Sequence, residues 1–344
     1  MKRRVFITGD SGMLGSAIKK ILSTDNNYEI LNVDQYRTYI NEFHYFDGKQ
    51  VKPAEVDITD LGNLTKCIVQ LDENDIVINC AAYVNTDKCV DFSYEAVMSN
   101  VIGTQNIVQL CKKVNCTLIN FSTTAVFDPD FYMTVFQGRF DETTLAYPKT
   151  IYGATKYASE LAVKQGYDKQ ITIKPVFIYG NFPYDNSSNL MKIFKHILMG
   201  NDDGTNKLPI TLSTEYKKNY MHSDYFALML KKIIDNTDNC LGQDFIISRD
   251  PDCGKTFDKW IDNLSEIIDR NLNRHNNTKC DVNNEIKLIP EADYLKDHLG
   301  YSANFYKHFP DFELPEDHKD DMWNLQKSFQ SINQHYINHN TVAL

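Results

Sequence analysis

The 344-residue sequence lacks the features that mark metal-binding, secreted and membrane proteins. Its eight cysteines form no C-x-x-C pair and have no histidine cluster beside them, which argues against zinc and favours reduced thiols. The apolar run at residues 5–7 is too short for a signal peptide, and no run elsewhere is long enough to span a bilayer. We therefore expect a cytoplasmic protein with neither a metal site nor a membrane segment.

Positive charge is also scarce, since 36 Lys and Arg stand against 46 Asp and Glu and give a formal net charge of −10. This balance disfavours nucleic acid or an anionic membrane as the main partner, although a local basic pocket for a phosphate is compatible with it. The sequence has no internal repeats. Its 42% hydrophobic and 24% charged residues fit a globular protein of one large or two modest domains.

The first residues follow the pattern of a strand, a glycine-rich turn and a helix. Residues 4–8 form a short β-rich apolar run, and apolar residues recur with helical period from residue 14 onwards. Between them, Gly9, Gly12 and Gly15 leave the backbone free to approach a pyrophosphate at a helix N-terminus. The spacing is GxxGxxG instead of the usual GxGxxG, so a plain turn with glycines at its caps is the alternative.

Two acidic residues lie where a dinucleotide site would need them. Asp34 closes the second predicted strand, where a carboxylate can accept both ribose hydroxyls and so favour NAD(H). Arg37 could instead meet a 2′-phosphate, which leaves the choice between NADH and NADPH open. Asp57 follows a third predicted strand and could contact the adenine edge or cap the helix that starts near Leu61.

Small and hydroxyl side chains end the next two predicted strands. Residues 75–82 form a buried-strand run that ends in Cys80, Ala81 and Ala82, small enough for a dinucleotide to lie flat across the strand ends. Residues 117–127 form a further strand with a hydroxyl cluster, at the position where an open parallel sheet binds its ligand. A helix is predicted over residues 94–113, and Asn100 within it is either exposed or a buried amide that ties the helix to the cofactor strand.

Tyr152 and Lys156 stand four residues apart, one turn apart on the same face of a predicted helix. A phenol beside an ammonium group is a plausible proton donor, because the positive charge favours the phenolate. The alternative is an amphipathic helix with a solvated lysine. Farther along, strands are predicted over 170–180 and 241–248 and a helix over 225–235, with Asp224 as its N-cap and His222 as a structural histidine.

In series, these motifs resemble the extended short-chain dehydrogenase/reductase family over the first 180 residues. The resemblance implies a Rossmann-type doubly wound parallel α/β sheet with a smaller C-terminal substrate-binding lobe. It assigns residues 1–180, with returning segments near 215–250, to the NAD(P)-binding domain. Residues 181–214 and 251–344 would form the substrate lobe and tail. A homodimer, built by packing the helix near Tyr94 and the helix of Tyr152, is also implied.

The resemblance also implies roles for individual residues. Tyr152 is the catalytic acid/base, Lys156 binds the nicotinamide ribose and lowers the tyrosine pKa, and Thr123 bonds the reacting oxygen. The residues expected to bind NADPH or NADH are Gly9, Ser11, Gly12, Met13, Leu14, Gly15, Asp34, Asp57, Ile58, Cys80, Ala81, Ala82, Tyr83, Asn100, Tyr152, Lys156, Pro175 and Phe177. Those expected to bind substrate are Val84, Thr123, Thr124, Ala125, Tyr152 and Asn189.

Within the family, residues 81–88 and 122–128 are similar to those of the dTDP-4-dehydrorhamnose reductase group, which reduces nucleotide-linked 4-keto-6-deoxy sugars. Thr124 and Ala125 replace the Asp-Tyr of that group, and Cys89 replaces an acid. Thr124 and Ala125 also stand where the sugar 4,6-dehydratases carry their acid and base. Ala125 stands where the bifunctional epimerase/reductases carry a cysteine. We therefore expect a reductase acting on a dTDP- or UDP-linked sugar. The alternatives are a 4-epimerase and a non-catalytic regulatory subunit that keeps the dinucleotide site.

Overall fold

The computed structural model describes residues 2–33, 44–46, 49–51, 57–68, 70–128, 139–180, 210–213, 217–248, 255–256, 286–289, 299–300 and 302–313. Three predicted site residues, Asp34, Arg37 and Asn189, lie outside these ranges, as does most of the predicted substrate lobe.

The strands, in chain order, are β1 (Arg3–Thr8), β2 (Tyr28–Val33), β3 (His44–Phe46), β4 (Lys49–Val51), β5 (Ile76–Asn79), β6 (Thr117–Phe121), β7 (Arg139–Phe140), β8 (Gln170–Pro175), β9 (Phe177–Tyr179), β10 (Ile210–Ser213), β11 (Lys217–Lys218), β12 (Tyr220–His222), β13 (Asp244–Ile247), β14 (Lys255–Thr256), β15 (Ile286–Ile289) and β16 (Leu299–Gly300). The α-helices are α1 (Met13–Leu22), α2 (Leu61–Ile68), α3 (Lys88–Asp91), α4 (Ser93–Val97), α5 (Thr104–Val114), α6 (Ile151–Gly166), α7 (Ser223–Ile234), α8 (Thr237–Cys240) and α9 (Ala303–His308).

The central sheet has six strands in the order β13-β8-β6-β5-β1-β2, and every neighbouring pair is parallel. This confirms the predicted doubly wound parallel sheet. β1 lies between β2 and β5, so the strand order reverses beside it. In an open α/β sheet, the crevice at the carboxyl ends of the strands on either side of this reversal is where ligands bind.

Alternate residues of each strand face opposite sides of the sheet, and helices cover the apolar side chains on both sides. On one face, Val5 and Ile7 of β1 belong to a core that includes buried residues of α1 and α7. On the other face, Phe6 packs in a second core with residues of α2, α5 and α6. Both cores hold the strands rigidly, so their carboxyl ends offer fixed positions for functional side chains.

Two helix predictions need correction. The helix predicted over 94–113 is divided: α4 is followed by a π-helical segment, Met98–Gly103, and only then by α5. The helix predicted over 225–235 is α7, but its N-cap is His222, whose Nδ1 accepts a hydrogen bond from the Asp224 backbone at 3.2 Å. The Asp224 carboxylate instead pairs with Lys20 at 2.7 Å.

A helix able to cross a bilayer would need to be longer and more apolar than any found in the described ranges. Those ranges also contain no group of His, Cys, Asp and Glu side chains arranged to hold a metal ion.

Candidate functional site

The glycine turn between β1 and α1 brings two backbones together with no room for side chains. Gly9 has a φ of +64°, and a Cβ added there would lie 2.9 Å from the backbone nitrogen of Ala81. A Cβ at Gly15 would lie 2.1 Å from the carbonyl oxygen of Gly9, which is backbone and cannot move aside cheaply. Gly12 occupies the N-cap of α1 without a capping side chain. The helix N-terminus is thereby exposed to a ligand, as anion binding there requires.

A row of polar side chains supports this turn from within the sheet. Thr8, Asn79 and Asn120 are paired in register on β1, β5 and β6, and all three are buried. Thr8 Oγ1 donates to Asn79 Oδ1 at 2.8 Å, and Asn79 Nδ2 donates to Asn120 Oδ1 at 3.0 Å. Thr8 Oγ1 also accepts from the Ala81 backbone at 3.2 Å. The row therefore fixes the turn relative to the small residues after β5.

Asn100 continues this support towards the helix that carries Tyr152. The amide is completely buried in the π segment, and its Oδ1 accepts from the Tyr83 backbone at 2.7 Å. Its Nδ2 donates to the Tyr83 carbonyl at 3.1 Å and to Thr155 Oγ1 at 2.9 Å. The interpretation of Asn100 as a buried amide tying its helix to the segment after β5 is confirmed.

Asp57 does not cap α2, which excludes one of its two predicted roles. The cap is Asp60, whose Oδ1 accepts from the Asn63 backbone at 3.1 Å. Asp57 Oδ1 accepts instead from the Thr59 backbone at 2.8 Å, within the loop that precedes the helix. The neighbouring Ile58 is buried, and a Cβ at Gly103 would meet its side chain at 2.5 Å.

Thr123 and Tyr152 meet at the end of β6. Thr123 caps a short 3₁₀ turn, Thr124–Val126, by accepting from the Ala125 backbone at 3.1 Å. The nearby Thr123 hydroxyl tends to lower the pKa of the Tyr152 phenol. Burial has the larger effect and raises the pKa of Tyr152 to about 12. The sequence pattern predicted a lowered pKa, whereas the structure keeps the phenol protonated and therefore able to donate.

Close packing holds α6 against the turn that carries Thr123. A Cβ at Gly153 would lie 2.4 Å from the carbonyl oxygen of Ala125, so the helix and the turn touch backbone to backbone. The helix begins at the cap residue Thr150, whose Oγ1 accepts from the Gly153 backbone at 3.0 Å. These contacts fix the start of the helix, one residue before Tyr152.

Lys156 lies one turn farther along α6, with its side chain buried. Burial lowers the pKa of Lys156 to about 8, while Cys80 and Glu160 act in the opposite direction. Burial also raises the pKa of the Cys80 thiol. An ammonium group that titrates near neutral pH, beside a protonated phenol, provides proton transfer and a positive charge at one place.

Sequence reasoning missed a buried ion cluster next to these residues. Ser122 Oγ donates to Glu160 Oε2 at 2.8 Å, and Glu160 Oε1 contacts the ammonium groups of Lys174 at 2.9 Å and Lys164 at 2.6 Å. Both lysines also contact Asp244 Oδ2 at 2.5 Å. The only sequence signal was a set of charged residues within apolar strand and helix patterns.

The remaining predicted residues surround this arrangement at different depths. A Cβ at Gly180 would lie 3.6 Å from Met13 Cγ, so the glycine turn approaches the end of β9. The Phe177 ring packs against that of Tyr220 at an angle of 47°, with ring centroids 5.6 Å apart. Val84 is 47% exposed. His222 is buried between Tyr179 and Tyr225, which confirms its structural interpretation.

The site can therefore hold an extended anionic ligand at the glycine turn and transfer a proton at Tyr152. Both ends lie at the carboxyl edge of one parallel sheet.

A family model described as the RmlD substrate binding domain matches residues 3–203. The chain is 25% identical over 193 residues to a dTDP-4-dehydrorhamnose reductase from Aggregatibacter actinomycetemcomitans, covering 56% of this chain and 58% of that protein. It is 24% identical over 201 residues to the beta subunit of methionine adenosyltransferase 2 from Xenopus laevis, covering 58% and 54%. The chain thus spans little more than half the length of these curated relatives.

A crystal structure of dTDP-4-dehydrorhamnose reductase from Bacillus anthracis str. Ames in complex with NADP has the same fold, with a TM-score of 0.66 at 19% identity. The match covers 98% of this chain and 100% of that one.

Proposed function

Because the chain belongs to the family of the RmlD substrate binding domain, we propose that it is an NAD(P)H-dependent reductase of a nucleoside-diphosphate 4-keto-6-deoxy sugar. The observation that carries the proposal is the packing of the helix of Tyr152 against the turn that Thr123 caps, at the same sheet edge as the glycine turn. A ketone bound between these two hydroxyls would have a hydrogen-bond donor and a proton source in place.

The glycine turn fits a dinucleotide because its side-chain-free backbone leaves a cradle that any Cβ at Gly9 or Gly15 would fill. We propose that residues 9–15 hold the pyrophosphate and that Ala81, Asn100 and Lys156 line the nicotinamide half. When bound, the reduced nicotinamide supplies the hydride for C4 of the sugar. We propose that Asp34 and Arg37 determine whether NADH or NADPH binds.

Three side chains divide the work at the reacting oxygen. Thr123 hydrogen-bonds the carbonyl oxygen and fixes its position. Tyr152 donates its proton to that oxygen as negative charge develops, so the product leaves as an alcohol. Lys156 binds the ribose and, as an ammonium ion, stabilises the phenolate that remains after donation.

We place the sugar against Val84, Thr124 and Ala125, with Asn189 on the nucleotide side. We propose that residues 181–214 and 251–344 contribute the substrate-binding lobe for a dTDP or UDP group, apart from α9, whose Phe305 is buried in the core of the sheet. The methyl group of Ala125 is not ionisable, so this position adds no second proton-transfer group to Tyr152.

The test is to mix purified protein with NADPH or NADH and a dTDP- or UDP-linked 4-keto-6-deoxyhexose. We expect the absorbance of the reduced cofactor to fall and the 4-hydroxy sugar to form in equal amount. No oxidation with any sugar of this class would overturn the reductase proposal.

The second candidate is a non-catalytic regulatory subunit, and the similarity to a methionine adenosyltransferase beta subunit favours it. Such a protein would bind a dinucleotide without consuming it. Tyr152→Phe separates the two, because the exchange abolishes sugar reduction by an enzyme but leaves a binding subunit unaffected.

We also propose that the chain is a cytoplasmic homodimer. Nine of the ten large hydrophobic side chains exposed by more than a third among the described residues fall in residues 84–97 and 145–161, including Tyr94 at 72% and Leu145 at 81%. These segments include α3, α4 and the N-terminal part of α6, whose outer faces a second copy would cover. Sedimentation should give a dimer that Tyr94→Ser weakens.

A further inference from the structure

Glu160 is placed to act on both halves of the proton-transfer site. It follows Tyr152 and Lys156 on α6 at intervals of four residues, so the three side chains share one helical face. Its carboxylate is 3% exposed and accepts from Ser122, the residue next to Thr123. One group thus contacts the strand end that carries Thr123 and lies on the helix that carries Tyr152.

The cations around Glu160 keep its charge in place. Burial alone would raise the pKa of Glu160, but Lys174 from β8 and Lys164 from α6 outweigh it and the pKa is lowered. Asp244 from β13 contacts the same two ammonium groups, so two positive and two negative charges balance. A buried charge partnered in this way stays ionised at neutral pH.

Glu160 is also the charged neighbour that acts on Lys156. Two groups raise the pKa of Lys156 against burial: Cys80, at the end of β5, and Glu160. Burial raises the pKa of Cys80 and keeps it as a neutral thiol, and Tyr152 is likewise protonated. Glu160, one helical turn from Lys156, is therefore the ionised acid among the groups that raise its pKa.

We propose that Glu160 is a positioning residue of this site: its carboxylate maintains Lys156 as an ammonium ion and ties the end of β6 to α6. The inference rests on the proposed function, because Lys156 is given the task of binding the cofactor ribose. Removing the negative charge would make Lys156 lose its proton at a lower pH. Cofactor affinity should then fall at a lower pH than in the unaltered chain.

The test is the dissociation constant of NADPH, measured by its fluorescence between pH 6 and pH 10 in the unaltered chain and in Glu160→Gln. The unaltered chain should lose affinity as pH rises through about 8. Glu160→Gln should move this fall in affinity to lower pH. Glu160→Gln removes one of the two carboxylates that neutralise Lys174. The double variant Glu160→Gln/Lys174→Met removes one negative and one positive charge and so keeps the charge balance. In it, too, we expect the loss of NADPH affinity to move to lower pH.

Ser122→Ala is the matched control. It removes the hydrogen bond to Glu160 but keeps the charge, so it should leave the pH at which NADPH affinity falls unchanged, whatever it does to turnover. The role of Glu160 is overturned if the pH at which NADPH affinity falls is unchanged in both Gln variants. It is also overturned if that pH changes as much in Ser122→Ala. Absence of NADPH binding by the unaltered chain at every pH overturns the proposed function itself and the inference with it.

Discussion

The two ends of the site are built by opposite means. The glycine turn, where we propose that the pyrophosphate binds, depends on missing side chains, because a Cβ at Gly9 or Gly15 would overlap the backbone of another segment. The proposed proton-transfer end depends instead on three side chains, those of Thr123, Tyr152 and Lys156. Substitutions in the glycine turn should therefore act through steric overlap. Substitutions at the proton-transfer end should act through loss of the chemical group or of a supporting hydrogen bond.

The largest effect is expected at the proton-transfer end. Tyr152→Phe removes the proton donor but keeps the ring, so kcat should fall by about 10²–10⁴-fold. The stability and the affinity for NADPH should change little, because the hydroxyl contributes one hydrogen bond. Steady-state kinetics and a fluorescence titration measure the two quantities. A parallel loss of NADPH binding would contradict the separation of the two ends.

Gly15→Ala tests the turn. The added Cβ would lie 2.1 Å from the Gly9 carbonyl oxygen, so the backbone must shift at a cost of about 1–3 kcal/mol. We expect NADPH affinity to fall by roughly 10-fold or more, with a lower Tm. Gly62→Ala is the matched control: it is exposed, its Cβ would meet only the Asp60 side chain at 3.3 Å, and helix propensity favours it. Equal losses in both variants would argue against a role for close backbone approach.

Asn100→Ala tests the link between the ends. It leaves the Tyr83 backbone and Thr155 without their buried partner and should cost about 1–3 kcal/mol of unfolding free energy. Because Thr155 also bonds the Tyr152 carbonyl at 2.9 Å, kcat should fall as well. Asn106→Ala removes another buried amide of the neighbouring helix, bonded to Ile58, and should reduce stability without a comparable fall in kcat. Denaturant unfolding and kinetics distinguish the two.

Thr150→Ala should have the smallest effect. It deletes the cap of α6 and should cost about 1 kcal/mol, seen as a lower urea midpoint. Thr150→Ser keeps the oxygen and should recover most of the loss. If the Thr150→Ser and Thr150→Ala variants were equally destabilised, the hydroxyl would not be acting as the cap.

The buried parallel strands, the glycine turn and the shared helical face of Tyr152 and Lys156 could be predicted because their signals are local. Apolar runs mark the buried strands, and the four-residue spacing of Tyr152 and Lys156 places both on one face of α6. Thr123 followed from a resemblance that spans several motifs in order. Each of these predictions needs only neighbouring residues or a linear series.

The errors involve contacts between distant parts of the chain. The ion cluster joins residues from 122 to 244, and nothing near Glu160 in the sequence shows that Lys174 and Asp244 will meet it. The pKa of Tyr152 depends on burial, which no motif measures. The cap of α7 was assigned to Asp224 by residue preference, but the Lys20 ammonium competes for that carboxylate.

The row of Thr8, Asn79 and Asn120 has a consequence for folding. Parallel strands made of Val, Ile and Leu resemble one another, so their alignment is poorly determined by apolar contacts alone. Sliding β6 by two residues along β5 would set the Asn79 amide against Leu118 and leave polar groups unpaired in the interior. The row therefore favours one register of these three strands, and it does so without any bound ligand.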